Sequence, residues 1–244
     1  MYDNLYHLHI PKTGGIWFNS HVLDPLRPSF DSARIFSRYD HGAWTQVKDS
    51  TYLISIIRDP AKRTVSHFAY SVKNFRRDAY KKADHDKSNY QEWIYETCEE
   101  TTVDNLMSWV EEREQYLSNY QSKFLTYDKA NIKKGPFYYG DPDFTSYVVD
   151  EDKLYSNLSR INFLLKNSQM AENRAIQFKQ KILKDLGKPL VPFVNTSAPD
   201  SNKNYASTQL WEELSPAQKS YLYDINKIDS KIYNDDSLYW NEGK

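Results

Sequence analysis

The stretch that most constrains this chain is Tyr6 to Phe18, YHLHIPKTGGIWF. An apolar-rich segment from Leu5 to Ile10 runs into Pro11, Lys12, Thr13, Gly14 and Gly15, and then into residues that open a helix. That is a strand, a tight basic loop and a helix start. Such a turn aims several backbone N–H groups, and the positive end of a helix dipole, at one point, so it binds an anion without a dedicated side chain. Lys12 adds a mobile positive charge, and the two glycines permit positive φ and close approach of the backbone to a ligand. The same residues also suit an ordinary surface turn, because Pro and Gly punctuate most turns.

At 244 residues the chain is long enough for one sizeable core, and a single α/β domain over residues 1–244 is expected. Hydrophobic residues make up 39% and the mean hydropathy is -0.80, which alone argues for weak packing. The 20 Tyr, 11 Phe and 6 Trp argue the other way, since they bury large areas while their polar tips still reach water. A formal net charge of -1 gives no general attraction to nucleic acid or to an anionic membrane, so any anion site is local. Cys98 is the only cysteine, which rules out an intrachain disulfide and a Cys-based metal site. The N-terminus lacks a basic region followed by an apolar run, and the longest buried candidate, Tyr52 to Ile57, is too short to span a bilayer. A cytoplasmic protein with no membrane or nucleic-acid partner is therefore expected.

Along the chain, Ile16 to Leu23 reads as a helix ended by Asp24 and Pro25, since proline disfavours helix in the residue before it. Ala33 to Ser37 suits a short strand, Arg38 to Gly42 a polar turn carrying His41, and Ala43 to Val47 a short helix. Thr51 to Ile57 is a β-branched apolar run of the kind buried on both faces of a parallel sheet. It ends in Arg58-Asp59-Pro60, where Asp59 suits an N-cap and Pro60 a first helical residue, predicting a helix to about Phe75. Strand, basic turn and helix thus occur twice, which implies a parallel sheet with its ligand crevice at the carboxyl ends of the strands.

The charged run from Arg76 to Thr102 reads as a solvated face or insertion, or as an acceptor-facing wall together with the aromatic residues up to Trp109. Thr102 or Asp104 caps a helix through Glu114, with another at Tyr116 to Leu125. Gly135-Pro136 and Gly140-Asp141-Pro142 bracket a loop. Asp150 or Asp152 caps a helix to Leu158, Ile161 to Leu165 is a strand, and Met170 to Leu186 is a one-faced helix stopped by Gly187. Ser207 or Thr208 opens a C-terminal helical region, and Ser215-Pro216 a helix that includes Tyr221, Leu222, Ile225 and Ile228.

Taken together, the two basic turns resemble the sulfotransferases that use 3′-phosphoadenosine-5′-phosphosulfate (PAPS), in particular the carbohydrate branch with the heparan sulfate 2-O- and 6-O-sulfotransferases. HIPKTGG at His9 to Gly15 is similar to that family's 5′-phosphosulfate loop. IIRDPAKRTVSHF at Ile56 to Phe68 is similar to its 3′-phosphate segment, with an Arg ending a strand and a Ser eight residues later. NYQSKFL at Asn119 to Leu125 resembles, more loosely, a family helix with Asn, Gln, Thr or Ser, then Arg or Lys. The run from Val194 through Tyr239 keeps the general shape of the family's closing region. One departure stands out: Ile16 occupies the position where the family carries Ser or Thr, so contact with a 5′-phosphate is left to backbone N–H groups, Thr13 or Ser20.

The resemblance implies a P-loop-like sulfotransferase fold, with a central parallel sheet flanked by helices. It implies PAPS as cofactor, its 3′,5′-bisphosphate PAP as product, and a glycan or other hydroxyl-bearing acceptor. Pro11, Lys12, Thr13, Gly14, Gly15 and Ile16 would bind the 5′-phosphosulfate; Arg58 and Ser66 would bind the 3′-phosphate, with Lys62 and Arg63 either assisting or solvated. Sulfuryl transfer asks mainly for positioning and for positive charge near the bridging oxygen, a role for Lys12 that needs no metal. Animal relatives are Golgi-anchored, so a chain cut from a longer protein would belong to the Golgi lumen instead.

A base must take the acceptor's proton, and six histidines compete. His7 and His9 lie along the first strand, one of them facing the core or the underside of the loop. His21 and His85 have nothing nearby to orient them, and His67 suits a wall better than a base. His41, in DHGAWTQV, is the candidate base, because in the resembling 2-O- and 6-O-enzymes a histidine in this interval has that role. An ordinary turn histidine, or a carboxylate as in the 3-O branch, is the alternative. Two other functions fit less of the pattern: a nucleotide-binding protein of the same fold without transfer, and a P-loop nucleotide kinase, for which no G-x-x-x-x-G-K-[ST] is present.

Overall fold

The computed structural model describes residue 2 and residues 4–30, 35–36, 49–75, 100–127, 142–190 and 205–241. Four parallel strands form one sheet in the order β2-β1-β3-β4, with β1 at Asn4–Leu8, β2 at Ile35–Phe36, β3 at Thr51–Ile57 and β4 at Phe163–Lys166. In register, Leu5 pairs with Ile35 and Tyr52, and Ile57 pairs with Lys166. From β1 the chain builds outward to β2, then returns to place β3 on the other side of β1. The strand order therefore reverses between β1 and β3, and the carboxyl ends of these two strands border the crevice where such sheets take their ligands.

Every residue of β3 is buried, as its unbroken apolar run demands of a central parallel strand. Its side chains alternate between two cores. Tyr52, Ile54 and Ile56 join Leu5, Phe163 and Leu165 on one face, against Phe18, Val22, Phe178 and Ile182. Leu53 and Ile57 join Tyr6 and Leu8 on the other, against Val65, Phe68, Val72, Trp109 and Phe124. Helices thus cover both faces of the sheet.

The helical run after the loop, α1, is continuous across 15–29, passing from α-helix (Gly15–Phe18) through a π-helical segment (Asn19–Leu23) to Asp24–Leu26 and a 3₁₀ turn at Arg27–Ser29. Pro25 does not end it, contrary to the sequence expectation. In the wider π turn the Asp24 N–H reaches back to the Asn19 carbonyl, and Pro25 enters near the start of a fresh α segment, where its missing N–H is not needed. The second helix, α2 (Pro60–Phe75), starts as its sequence dictates: Asp59 Oδ1 accepts from Lys62 N at 3.0 Å and Pro60 is the first helical residue.

Further along, Thr102 caps α3 (Val103–Glu112) and Asp150 caps the helix Glu151–Ser159. The expected helix from Tyr116 to Leu125 is instead two, α4 (Glu114–Leu117) and α5 (Tyr120–Thr126), broken by Asn119 in a left-handed conformation (φ 47). Pro142 starts the short helix Pro142–Ser146 and does not merely close a loop. Helix Glu172–Asp185 follows β4 and stops before Gly187, at φ 63. The C-terminal region begins slightly earlier than expected, with Tyr205–Glu213. Ser215 and Gln218 form a capping box at the start of Pro216–Asp224. Ile228 belongs to a separate helix, Lys227–Asn234, because Asn226 turns its side chain to the Asn119 N–H (3.0 Å) and to the Leu222 carbonyl (2.9 Å).

His7 in β1 and His9 just beyond it face the same side. His7 and His9 are buried and stack at 5.3 Å, and His7 Nδ1–H donates to Asn19 Oδ1 at 2.9 Å. Burial lowers the His7 pKa from 6.5 to about 4, a little offset by the Asn19 bond. Between those values the unfolded chain binds a proton that the native state refuses, so stability is intact above pH 6.5 and drains away toward pH 4. The loss is on the order of 3 kcal/mol. Urea denaturation across this window should show His7→Phe with a correspondingly shallower loss of stability than the wild type; an unchanged slope would contradict the buried neutral imidazole.

Candidate anion-binding site

The loop between β1 and α1 is held by its carbonyl groups. Ile10 O accepts from Thr13 Oγ1 at 2.8 Å, and Pro11 O from Arg63 Nε at 3.2 Å. Lys12 O accepts from Arg58 Nη1 at 3.1 Å, Thr13 O from Asn167 Nδ2 at 2.8 Å, and Gly14 O from the Phe18 amide at 3.2 Å. Five successive carbonyls are thereby fixed by partners from the loop itself, α1, the residue after β3, α2 and the residue after β4. The N–H groups of the first helical turn have no intrahelical acceptor, so this arrangement leaves them as the loop's donors.

Two residues of the loop are left-handed, Lys12 at φ 68 and Gly14 at φ 103. For Lys12 that conformation costs about 1 kcal/mol, which a charge-assisted bond on its own carbonyl, worth about 1.5–3 kcal/mol, outweighs. At φ 103 any side chain on Gly14 would be strained, and a Cβ there would also sit 2.5 Å from Asn167 Nδ2, the amide that holds the Thr13 carbonyl. Gly15 carries a steric constraint from within the fold. A Cβ at Gly15 would lie 2.1 Å from the His9 ring, so its size is dictated by the imidazole beneath the loop.

The hydroxyls proposed to replace the one missing at Ile16 are committed elsewhere. Thr13 is fully buried with its hydroxyl donating to Ile10 O, and Ser20 Oγ donates to Ile16 O at 3.0 Å. Ile16 itself is 56% exposed. Donation to an anion at this point therefore falls to the backbone and to Lys12.

Around the loop gather cations. Lys12 Nζ lies 3.8 Å from the centre of the Tyr70 ring, and its pKa falls from 10.5 to about 7, through burial first and then repulsion from Arg58, Arg63 and Lys73. Burial also takes Arg58 down to about 10. The carboxylate beside it does not pair with it: Asp59 caps α2 and accepts from Tyr223 Oη at 2.8 Å. Arg63, for which a solvated position had been one alternative, is 1% exposed. Its guanidinium lies 3.5 Å over the Tyr120 ring, and Nη1 and Nη2 have no hydrogen-bond partner among the described residues. Arg63, Ser66, Tyr70 and Lys73 recur at three- and four-residue spacing, which puts them on one face of α2, opposite Ala61, Val65, Phe68 and Val72 in the core.

Of the predicted residues, Lys12 and Arg58 are brought into direct contact, with Pro11, Thr13, Gly14 and Gly15 forming the loop between them and Ser66 on the α2 face beside it. His41, His85 and the wall from 76 to 99 lie outside the described residues. Trp109, at the end of that wall, is core packing at 1% exposure. His67 is buried among Trp109, Tyr116 and Tyr120, at 5.4, 6.3 and 6.2 Å, a packing role and not a base's. His21, expected to lack an orienting partner, donates Nδ1–H to the Trp17 carbonyl at 2.9 Å and stacks on that indole at 4.6 Å. Lys123 of the third motif is also structural, buried with Nζ donating to the Gln115 and Thr145 carbonyls.

Sequence reasoning missed Tyr70 and Asn167. For Asn167 a signal existed, since it directly follows β4 and so sits at the same carboxyl edge as the two basic turns. Among the described residues no three His, Cys, Asp or Glu side chains are placed to hold a metal ion, and no helix is long and apolar enough to cross a membrane. Comparison of the chain with protein-family models and with curated proteins returns no match.

The Gly15–His9 contact sets a test of loop packing. Gly15→Ala should lower the melting temperature by several degrees, and His9→Ala in the same chain should recover part of that loss. Additive losses in the double variant would show that the ring does not set the residue size at Gly15.

Proposed function

We propose that this protein is a sulfotransferase with a P-loop-like fold, moving the sulfuryl group of PAPS to a hydroxyl of an acceptor, in the first instance a carbohydrate. The observation that carries the reading is the bond from Arg58 Nη1 to the Lys12 carbonyl, which joins the two basic turns at the point where the strand order reverses. A ligand with two separate phosphate groups suits two cationic turns held at a fixed separation. The crowding of Lys12, Arg58, Arg63 and Lys73, whose repulsion adds to burial in depressing the lysine, supports a polyanionic partner.

In this reading the first-turn N–H groups and Lys12 receive the 5′-phosphosulfate, while Arg58 and Ser66 receive the 3′-phosphate. The acceptor oxygen forms a bond to sulfur as the bond from sulfur to the bridging phosphate oxygen breaks. The leaving 5′-phosphate of PAP gains negative charge, and the Lys12 ammonium stabilises it. The acceptor's proton passes to a base, for which His41 stands on the family resemblance.

A melting-temperature titration tests the cofactor. PAP should raise the melting temperature in a concentration-dependent way while ATP with Mg²⁺ does little; a flat response to PAP counts against the proposal. Transfer of labelled sulfate from PAPS to a panel of glycans should be abolished in Lys12→Ala and His41→Ala with the fold intact. Binding of PAP with no transfer to any acceptor would identify a nucleotide-binding protein without transfer activity instead.

The lysine also sets a pH dependence. In the free enzyme Lys12 loses its proton as pH rises through about 7, so kcat/KM for PAPS should fall above that pH. Lys12→Arg, which does not titrate there, should lack that fall even if its rate is lower. A fall of the same size and midpoint in Lys12→Arg would assign the ionisation to another group.

A further inference from the structure

Arg58 must project from a fixed peptide if its guanidinium is to hold the Lys12 carbonyl. That peptide lies one residue beyond the end of β3, past the last register pair of the ladder, Ile57 with Lys166. A side chain takes the ladder's place. Gln121 Oε1 accepts from Arg58 N at 2.9 Å, and Gln121 Nε2 donates to Arg58 O at 2.9 Å. A primary amide carries its acceptor and donor side by side, so it bonds both groups of one extended residue as a neighbouring strand would. A carboxylate lacks the donor, and an ammonium lacks the acceptor.

Gln121 is itself fixed. It is fully buried in the first turn of α5, and its own N–H donates to Asp229 Oδ2 at 2.9 Å. Ser122 N and Ser122 Oγ both donate to Asp229 Oδ1, the former at 2.8 Å. Asn119 Oδ1 accepts from Ile228 N at 2.8 Å. The buried Asp229 carboxylate thus caps α5 from the C-terminal helix, and a chain of bonds runs from Asp229 through Gln121 and Arg58 to the carbonyl of Lys12.

We infer that Gln121 is a positioning residue for the anion site: its amide aims Arg58, through which the Asp229-capped helix controls the geometry of the Lys12 loop. The part of this inference that concerns PAP rests on the proposed function; the part that concerns Lys12 does not.

The test uses the full chain with Gln121→Met, close in length but unable to bond the peptide. The control is Ser122→Ala, which loses a bond to Asp229 in the same helical turn without touching Arg58. PAP affinity, the titration of the Lys12 amine by NMR, and melting temperature are read for each. Gln121→Met should weaken PAP about tenfold or more and move the Lys12 midpoint up from about 7, because Arg58 is no longer held beside it. Ser122→Ala should lower the melting temperature and leave both other readouts at the wild-type values. If Gln121→Met does not fold, Gln121→Glu, which keeps the acceptor and loses the donor, should weaken PAP likewise. Should the wild type itself not bind PAP, the proposed function falls and the Lys12 titration alone judges Gln121. Should the wild type bind PAP while the Gln121 variant binds as tightly and titrates unchanged, the positioning inference is overturned and the proposed function stands. Equal shifts of both site readouts in Ser122→Ala would overturn it too, by showing that general loosening of α5 suffices.

Discussion

The rest of the site depends on how the carbonyl groups of residues 10–13 are occupied. A loop of this length, left to water, would present carbonyls and amides alike, and its carbonyls would repel an anion. Here Thr13, Arg63, Arg58 and Asn167 each donate to one of those oxygens, at 2.8 to 3.2 Å. Two of the four donors are guanidinium groups, so the act that turns the carbonyl dipoles aside also delivers positive charge to the same place. Structure and electrostatics are supplied by the same bonds. The left-handed backbone at Lys12 is tolerated because these bonds together outweigh its cost.

Clustered cations in a partly buried crevice are unfavourable on their own, and the protein meets that cost in three ways. Tyr70 and Tyr120 offer ring faces to Lys12 and Arg63. Lys12 is pushed toward its neutral form, which relieves repulsion without a carboxylate. Burial pushes the Asp229 carboxyl pKa up, its hydrogen bonds to α5 and the field of Arg63 work against that rise, and its attraction for Arg63 is a minor contribution. Among the described residues, Asp59 beside Arg58 likewise spends its hydrogen bonds on α2 and Tyr223 while it attracts Arg58 through the field. The positive groups keep unused donors, and an incoming dianion would meet few competitors.

Local chemistry made the skeleton legible in the sequence. Thr51 to Ile57 is a strand and Pro60 to Phe75 a helix with the bounds that β-branched residues, an Asp cap and a first-turn proline dictate. The pairing of Lys12 with Arg58 was legible too, because two strand-turn-helix units of a parallel sheet must bring their turns to one edge. What was not legible depends on partners far along the chain. Arg63 reads equally as an assisting or a solvated residue until Tyr120 is placed under its guanidinium. The breaks at Asn119 and Asn226 follow from an exchange of side-chain bonds between two distant segments, which no local propensity records. Pro25 misled for the opposite reason: its rule is local, and the π turn over Asn19–Leu23 suspends it.

The central claim is that the loop's N–H groups and Arg58, joined through the Lys12 carbonyl, face one bound ligand. Titrating PAP into ¹⁵N-labelled protein measures this most directly. The account predicts that the backbone amides of Gly14, Gly15 and Ile16 and the side-chain N–H groups of Arg58 shift together, saturating at one dissociation constant. Saturable binding of PAP that leaves those resonances unmoved, or moves Arg58 without the loop amides, would contradict it.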